Sequence, residues 1–308
     1  MAGPPVKEDD HVRRHSYRYQ RTIARPAALQ GVGFLTGASV QLRFRPAPPD
    51  TGVVFVRTDL RPAVEIAATV DEVTGTQRRT TLGQAPAQVA LVEHVLAALA
   101  GLRIDNCYAE LNALEPPGLD GSARCFVDAL RAAGAVLQPA RRTIVYVDAP
   151  VIVSHNGATL ALHPPVGDEL KMSYALDYGF NSPIDRQFYT QVITPETFAS
   201  EVAGCRTFIL ESEAAELRRQ GLGSRTTVAD LLVFGQRGPI DNALHWANEP
   251  ARHKVLDMLG DLSLLGMDLR GHLVAYRSGH PLNVELVRVL RGQPIEGTSP
   301  YCVPQLAA

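Results

Sequence analysis

The sequence predicts an α+β protein built as two consecutive units, and three observations carry that reading. The chain has 308 residues, more than the roughly 100–200 over which one hydrophobic core usually extends. In each half, runs of alternating apolar and polar residues come first and runs with helical periodicity follow. Between the halves, residues 135–142 (AVLQPARR) lose helical periodicity and contain a proline, which places a boundary near Arg141. The expected division is a mobile leader over 1–20, a first unit over 21–141 and a second over 142–308.

Composition narrows the function. With 45% hydrophobic and 20% charged residues the chain can bury sizeable cores, which excludes collagen-like, coiled-coil and globally disordered proteins. A formal net charge of -2 argues against a nucleic-acid-binding surface. The apolar run VALVEHVLAALAGL is interrupted by Glu93 and His94, well short of the roughly 18–20 residues a membrane span needs. The first residues, MAGPPVKEDDHVRRHSYRYQR, lack the apolar stretch of a signal peptide. Cys107, Cys125, Cys205 and Cys302 form no Cys-x-x-Cys pair in a chain too large to need disulfides. The expected location is the cytoplasm. Lys7, Lys171 and Lys254 are the only lysines among 30 basic residues, so each draws notice.

VQLRFRP (40–46) and GVVFVRTDL (52–60), separated by APPD, read as strands paired with each other. Residues 88–100 place Val89, Val92, Leu96 and Leu99 at helical spacing, with Gly101 as the stop. NCYAELNA reads as a strand, and SARCFVDALRAAG as a helix with Ser122 as N-cap and Gly134 behind it. TIVYVDAPVIV opens the second unit. Asn156-Gly157, between VIVSH and ATLALH, supplies the positive φ angles of a type I′ hairpin turn. Helices are expected at 195–203, 211–220 and 249–265, then a strand at HLVAYR and a last helix at NVELVRVLR. GVGFLTG and GLGSRTT miss the spacing of dinucleotide and P-loop fingerprints and read as turns.

NEPARHKVLDMLGDLSLLG (248–266) carries the most chemistry. Asn248 can cap a helix, Pro250 suits its first turn, and His253, Asp257 and Asp261 fall four apart on one face. Val255, Leu256, Met258, Leu259 and Leu262 supply its packing surface. One reading is an ordinary helical charge pair with Asp261 solvated. The other is a metal site, and Glu93-His94 bears on it, because inside an apolar helix one of the two must face a packed interior or a cleft. His94, His253 and Asp257 together make a two-histidine, one-aspartate set with an open fourth position, as in catalytic zinc sites, and Fe2+ suits the same ligands. Glu93 then stands where it can accept a proton from water whose pKa the metal lowers to about 7. His280, in SGHPLN, is either a surface histidine or, in the same cleft, a general acid kept protonated by a carboxylate such as Asp261. His11, His15, His155, His163, His245 and His272 read as structural.

From about Arg21 onward the chain resembles the bacterial UDP-3-O-acyl-N-acetylglucosamine deacetylases, zinc amidohydrolases that commit lipid A synthesis. The resemblance rests on ALQGVGFLTG, VEHVLAALAGLRIDN, PGLDGSA, CRTF, NEPARHKVLDMLGDL and YRSGHPLN, in that order. It implies zinc on His94, His253 and Asp257, Glu93 as general base, and His280 as general acid or electrostatic partner oriented by Asp261. It assigns Thr207 to the oxyanion, Phe208 to the sugar and acyl chain, and Lys254, otherwise read as a solvated helix lysine, to substrate binding. The implied fold is two similar two-layer α/β sandwich domains, each with a small insertion, with the active site between them. The implied substrate is a small acylated UDP-sugar, whose lipid portion brings an expected peripheral membrane contact; the chain is expected to be a monomer without a nucleic-acid partner.

Two departures stand out. Ala90-Leu91 replaces the Lys/Ser-Thr that commonly precedes Val-Glu-His, and Arg225, Thr226 and Thr227 replace a Gly-Gly-Ser near the substrate cleft. The second leaves open a paralogue acting on a different acylated amino sugar. A non-catalytic sugar-nucleotide or acyl-chain binder with a retained metal also stays open. No fused dehydratase segment is expected beyond Ala308.

Overall fold

The computed structural model describes residues 11–292. Each half of the chain builds one five-stranded sheet, and the two sheets share a plan. The first runs in the order Ala27–Val32, Ser39–Pro46, Cys107–Leu111, Val53–Arg57, Val64–Ala67; the second runs Val151–His155, Ala158–His163, Gly271–Tyr276, Leu170–Leu176, Gln187–Val192. In both, two antiparallel hairpins lie side by side and a late strand inserts between them, antiparallel to the first hairpin and parallel to the second. The expected direct pairing of 40–46 with 52–60 is therefore corrected. Cys107, Ala109 and Leu111 are fully buried and claim the centre of the sheet, while Pro48 and Pro49 carry the chain across instead of closing a hairpin.

Among the described residues there are six α-helices: α1 (Glu93–Gly101), α2 (Arg124–Ala133), the short α3 (Pro195–Thr197), α4 (Glu211–Arg219), α5 (Glu249–Leu262) and α6 (His280–Leu290). In the shared plan α1 and α5 precede the inserted strand, and α2 and α6 follow it. α1 packs directly on α5, so the order of layers is sheet, helices, helices, sheet. Leu96 and Leu99 of α1 and Val255, Leu256 and Leu262 of α5 are buried in this interior, each stabilising by roughly 1.5–3 kcal/mol. Gly260 is where the helices meet most closely, because a Cβ built there would lie 2.1 Å from the carbonyl oxygen of Glu93. The insertions occupy equivalent places too, just ahead of α1 (Val73–Gly75, Thr81–Leu82, Val89–Ala90) and of α5 (Phe208–Leu210, α4, Leu232–Gly235, Gly238–Pro239). The α+β class with two similar layered units is what the structure has.

A third sheet ties the halves together, pairing Val12–Ile23 antiparallel with Ala135–Val147, and the latter parallel with Asp268–Leu269. Residues 12–20 are thus a strand and not part of a mobile leader; residues 1–10 lie outside the described residues. Arg18 anchors this strand through Asp105 at 2.7 Å and Asp268 at 2.8 Å. Ala135–Val147 runs through Arg141, the expected boundary, as one strand that joins the two units. Pro139 is accommodated in the irregular stretch where the register slips between Tyr19 and Arg21, consistent with the confinement of strand prolines to edges and bulges.

Other local expectations shift by a few residues. α1 begins at Glu93, not at 88, because Val89–Ala90 is a strand and Leu91 takes a left-handed φ of 56° that turns the chain into the helix. Ala123, not Ser122, is the N-cap of α2, though Ser122 Oγ accepts the Arg124 amide at 3.1 Å. α6 starts at His280, three residues early, with Pro281 in its first turn. Asn156 and Gly157 have φ of 49° and 77° and close the predicted hairpin. Among the described residues no helix is long and apolar enough to cross a membrane.

Candidate active site

The close approach of α1 to α5 places His94, in the first turn of α1, against His253 and Asp257 of α5. One nitrogen from each imidazole and one carboxylate oxygen all lie within 4.8 Å of one another. Nε2 of His253 is 3.2 Å and Nε2 of His94 3.5 Å from Oδ1 of Asp257. That oxygen is buried and has no hydrogen-bond partner, which is costly unless a cation or proton meets it. Nδ1 of His253 lies 3.0 Å from the Cys205 carbonyl; only an N–H suits that acceptor, and in the neutral ring this leaves the Nε2 lone pair toward Asp257, the arrangement metal-ligating histidines adopt. Two imidazole nitrogens and one carboxylate oxygen suit zinc or iron, and these residues fit such an ion.

The electrostatics agree with the geometry. Burial alone raises the Asp257 carboxyl, but His253 and Lys254 outweigh it and hold the group well below the usual range. Lys254 Nζ donates to Asp257 Oδ2 at 2.9 Å, and although burial works against its ammonium, that carboxylate raises its pKa. Burial also lowers the His94 imidazolium, with His253 adding to the effect against Asp257.

Glu93 is buried at the start of α1 and its Oε2 accepts the backbone amide of Thr80 at 3.1 Å. Burial, opposed by His280 and helped by Asp261 and Asp257, pushes its pKa up to about 7. His280, the first residue of α6, directs Nδ1 to Asp261 Oδ2 at 2.8 Å. Burial works against the charged ring, yet Asp261 more than offsets it and the pKa rises to about 9. Asp261 is fully buried, which leaves no room for its alternative reading as a solvated helix carboxylate.

The CRTF segment runs alongside. Phe208 sets its ring 6.1 Å from those of His253 and Phe234 and 6.0 Å from Tyr178, with Lys254 Nζ 5.4 Å above it. Thr207 is fixed through its backbone to Gly121 at 2.7 Å and Leu232 at 3.0 Å. Arg225 and Thr226 turn toward the loop after the first strand of the first sheet, donating to the carbonyls of Gly37 at 2.9 Å and Phe34 at 3.1 Å.

Several participants were not singled out in the sequence. Arg206 and Glu249 form a buried pair at 2.8 Å that locks the CRTF segment to the start of α5. Thr80 Oγ1 donates to Asp261 Oδ1 at 2.6 Å, and Asn283 Nδ2 to Oδ2 at 2.8 Å. Arg206, Glu249 and Asn283 lay inside noticed motifs. Thr80 and Asn283 belong to no spacing pattern, and only the fold brings them to Asp261.

Comparison with known proteins assigns a family. The family model for UDP-3-O-acyl N-acetylglycosamine deacetylase (LpxC) matches residues 20–291. A UDP-3-O-acyl-N-acetylglucosamine deacetylase of Chlamydia pneumoniae is 39% identical over 87% of this chain and 95% of its own length, and one of Bdellovibrio bacteriovorus 37% identical over 89% and 90%. The bifunctional enzyme LpxC/FabZ of Chlorobaculum tepidum is 37% identical over 89% of this chain, which spans 64% of that longer protein. With a match over most of its length, the chain belongs to the UDP-3-O-acyl N-acetylglycosamine deacetylase family.

Proposed function

We propose that this chain hydrolyses the 2-acetamido group of UDP-3-O-[(R)-3-hydroxyacyl]-N-acetylglucosamine, releasing acetate and the free amine, the committed step of lipid A biosynthesis. The observation that carries the reading is the convergence of His94, His253 and a buried, unpartnered Asp257 oxygen beside Glu93 and His280, in a chain of this family. His94, His253 and Asp257 would hold Zn2+, with Fe2+ compatible with the same donors; when bound, the metal supplies Lewis-acid activation of water and of the amide carbonyl.

The remaining chemistry falls to side chains. Glu93, with a pKa near neutrality, accepts the proton lost by the attacking water. His280 keeps Nδ1 on Asp261 and gives the proton on Nε2 to the departing amine as the carbon–nitrogen bond breaks. Thr207 stabilises the oxyanion, an interaction worth roughly 3–4 kcal/mol for a well-placed donor. Phe208 supports the sugar and acyl chain, and Lys254, above that ring, meets the anionic part of the substrate. Three protein ligands, with none other grouped among the described residues, suit a catalytic site better than a closed structural one, which disfavours the non-catalytic binder. A cytoplasmic monomer touching the membrane only through its lipid-bearing substrate belongs to the same reading.

The test is mass-spectrometric detection of acetate release by protein of known zinc content, with His280→Ala beside it. Turnover with about one zinc per chain, lost in the variant, is expected. No turnover by fully metallated protein overturns the substrate assignment and favours a second reading, in which the Arg225 and Thr226 tether reshapes the cleft for another acylated amino sugar.

A further inference from the structure

Thr80 lies in the first insertion, one residue before the short strand Thr81–Leu82 and 181 positions away from Asp261. It is fully buried. Its backbone amide donates to Oε2 of Glu93 at 3.1 Å, its hydroxyl donates to Oδ1 of Asp261 at 2.6 Å, and Oγ1 stands 3.3 Å from Nδ1 of His280. One residue therefore contacts both of the groups that the proposed reaction uses to take up and deliver a proton.

The hydrogen-bond inventory shows what the hydroxyl contributes. Asp261 is fully buried at the contact of α5 with α6. Its Oδ2 accepts both His280 Nδ1–H and Asn283 Nδ2–H, each at 2.8 Å; Asn283 is held in turn by the Ser278 hydroxyl at 2.9 Å. Thr80 is the side-chain donor at Oδ1. With donors on both oxygens the carboxylate plane cannot turn, so Oδ2 stays aimed at the imidazole and the ring stays aimed at the cleft. Without the Thr80 hydroxyl, a buried carboxylate oxygen loses its donor, and rotation of Asp261 to recover one would swing the acceptor away from His280.

We propose that Thr80 is a positioning residue that registers Glu93 and His280 against each other, through its amide on one side and through Asp261 on the other. The catalytic significance rests on the deacetylase reading; the geometric claim does not. Thr80 itself neither binds the metal nor transfers a proton. It acts by holding an acceptor and a donor a fixed distance apart across the reacting amide, where small displacements are expensive. Because the amide is retained in every side-chain variant, substitution isolates the Asp261 arm.

The experiment compares Thr80→Val, which keeps the shape and removes the hydroxyl, with Thr80→Ser, which restores it. Expected for Thr80→Val is a kcat lower by about 10–100-fold, the range for loss of an outer partner, with KM, zinc per chain and the circular dichroism spectrum unchanged; Thr80→Ser recovers most of the loss. A second readout needs no turnover: the downfield imidazole N–H proton of His280 in metal-free protein, identified by its absence in His280→Ala, moves or broadens in Thr80→Val and returns in Thr80→Ser. Should Thr80→Val not fold, Thr80→Ala is read by the same criteria. Wild-type kcat in the folded hydroxyl-free variant, or a parallel fall of kcat and zinc content, overturns the proposal, as does an unmoved His280 resonance. An inactive wild type whose His280 signal still depends on the Thr80 hydroxyl would refute the deacetylase reading and leave the positioning role standing.

Discussion

Lys254 and Asp257 divide the labour of one carboxylate. The ammonium takes Oδ2 at 2.9 Å, and Oδ1 is left buried without a hydrogen bond, facing two imidazole nitrogens at 3.2 and 3.5 Å. Lysine thus adds to His253 in keeping the aspartate ionised, and holds it turned without occupying the oxygen a metal would take. Asp257→Ala should reduce zinc affinity by more than the roughly 10–100-fold typical of losing an outer partner, whereas Lys254→Met should stay within that range. Competition with a chelator of known affinity measures both. Wild-type zinc retention by Asp257→Ala would remove Asp257 from the ligand set.

Glu93→Gln keeps the side chain's volume and its contact with the Thr80 amide but cannot accept a proton. Zinc content should hold while kcat drops by about 10²–10⁴-fold, the usual contribution of a general base. Normal turnover in this variant would assign the proton to another group.

The metal-free chain should lose stability as pH rises, in two steps. Glu93 has a folded pKa of about 7 against 4.5 for the free group, so the folded state holds the extra proton and stability declines as pH climbs from about 4.5 through 7. His280 is raised from 6.5 to about 9; its contribution, on the order of 3 kcal/mol, is complete below 6.5 and lost as pH passes through about 9. Melting temperatures across this range, with chelator present, should show the lower step vanish in Glu93→Gln and the upper in His280→Ala. A flat profile in the wild type contradicts the buried environments of both groups.

Gly260→Ala should damage the site without touching it. The new methyl group would sit 2.1 Å from the Glu93 carbonyl oxygen, so α1 and α5 must separate. The strain should be about 1–3 kcal/mol or more, and zinc affinity should fall in parallel, because His94 rides on one helix and the other two ligands on its neighbour. Unchanged metal affinity in a destabilised Gly260→Ala would show that the site tolerates helix movement.

What the sequence made legible follows the periodicities it carries. His253, Asp257 and Asp261 could be placed together because residues four apart in a helix share a face, and Glu93-His94 was conspicuous because charge is out of place in an apolar run. The strand at 12–23 was missed because its partner lies more than a hundred residues away and its alternation is blurred by arginines. The pairing of 40–46 with 52–60 went wrong for a related reason: the central strand of the sheet arrives late in the chain. Thr80 and Asn283 escaped because a lone polar residue in a loop or helix has no period to break. Their meaning exists only once the insertion folds over α5 and α6.

One further consequence comes from the doubled plan of the sheets. α1 and α5 are counterparts in it, so the proposed ligands are contributed by both halves, His94 from one and His253 with Asp257 from the other. Neither half alone carries the full donor set. With that ligand set, tight metal capture would require correct mating of the halves, and a chain whose halves have not joined would hold the ion only weakly.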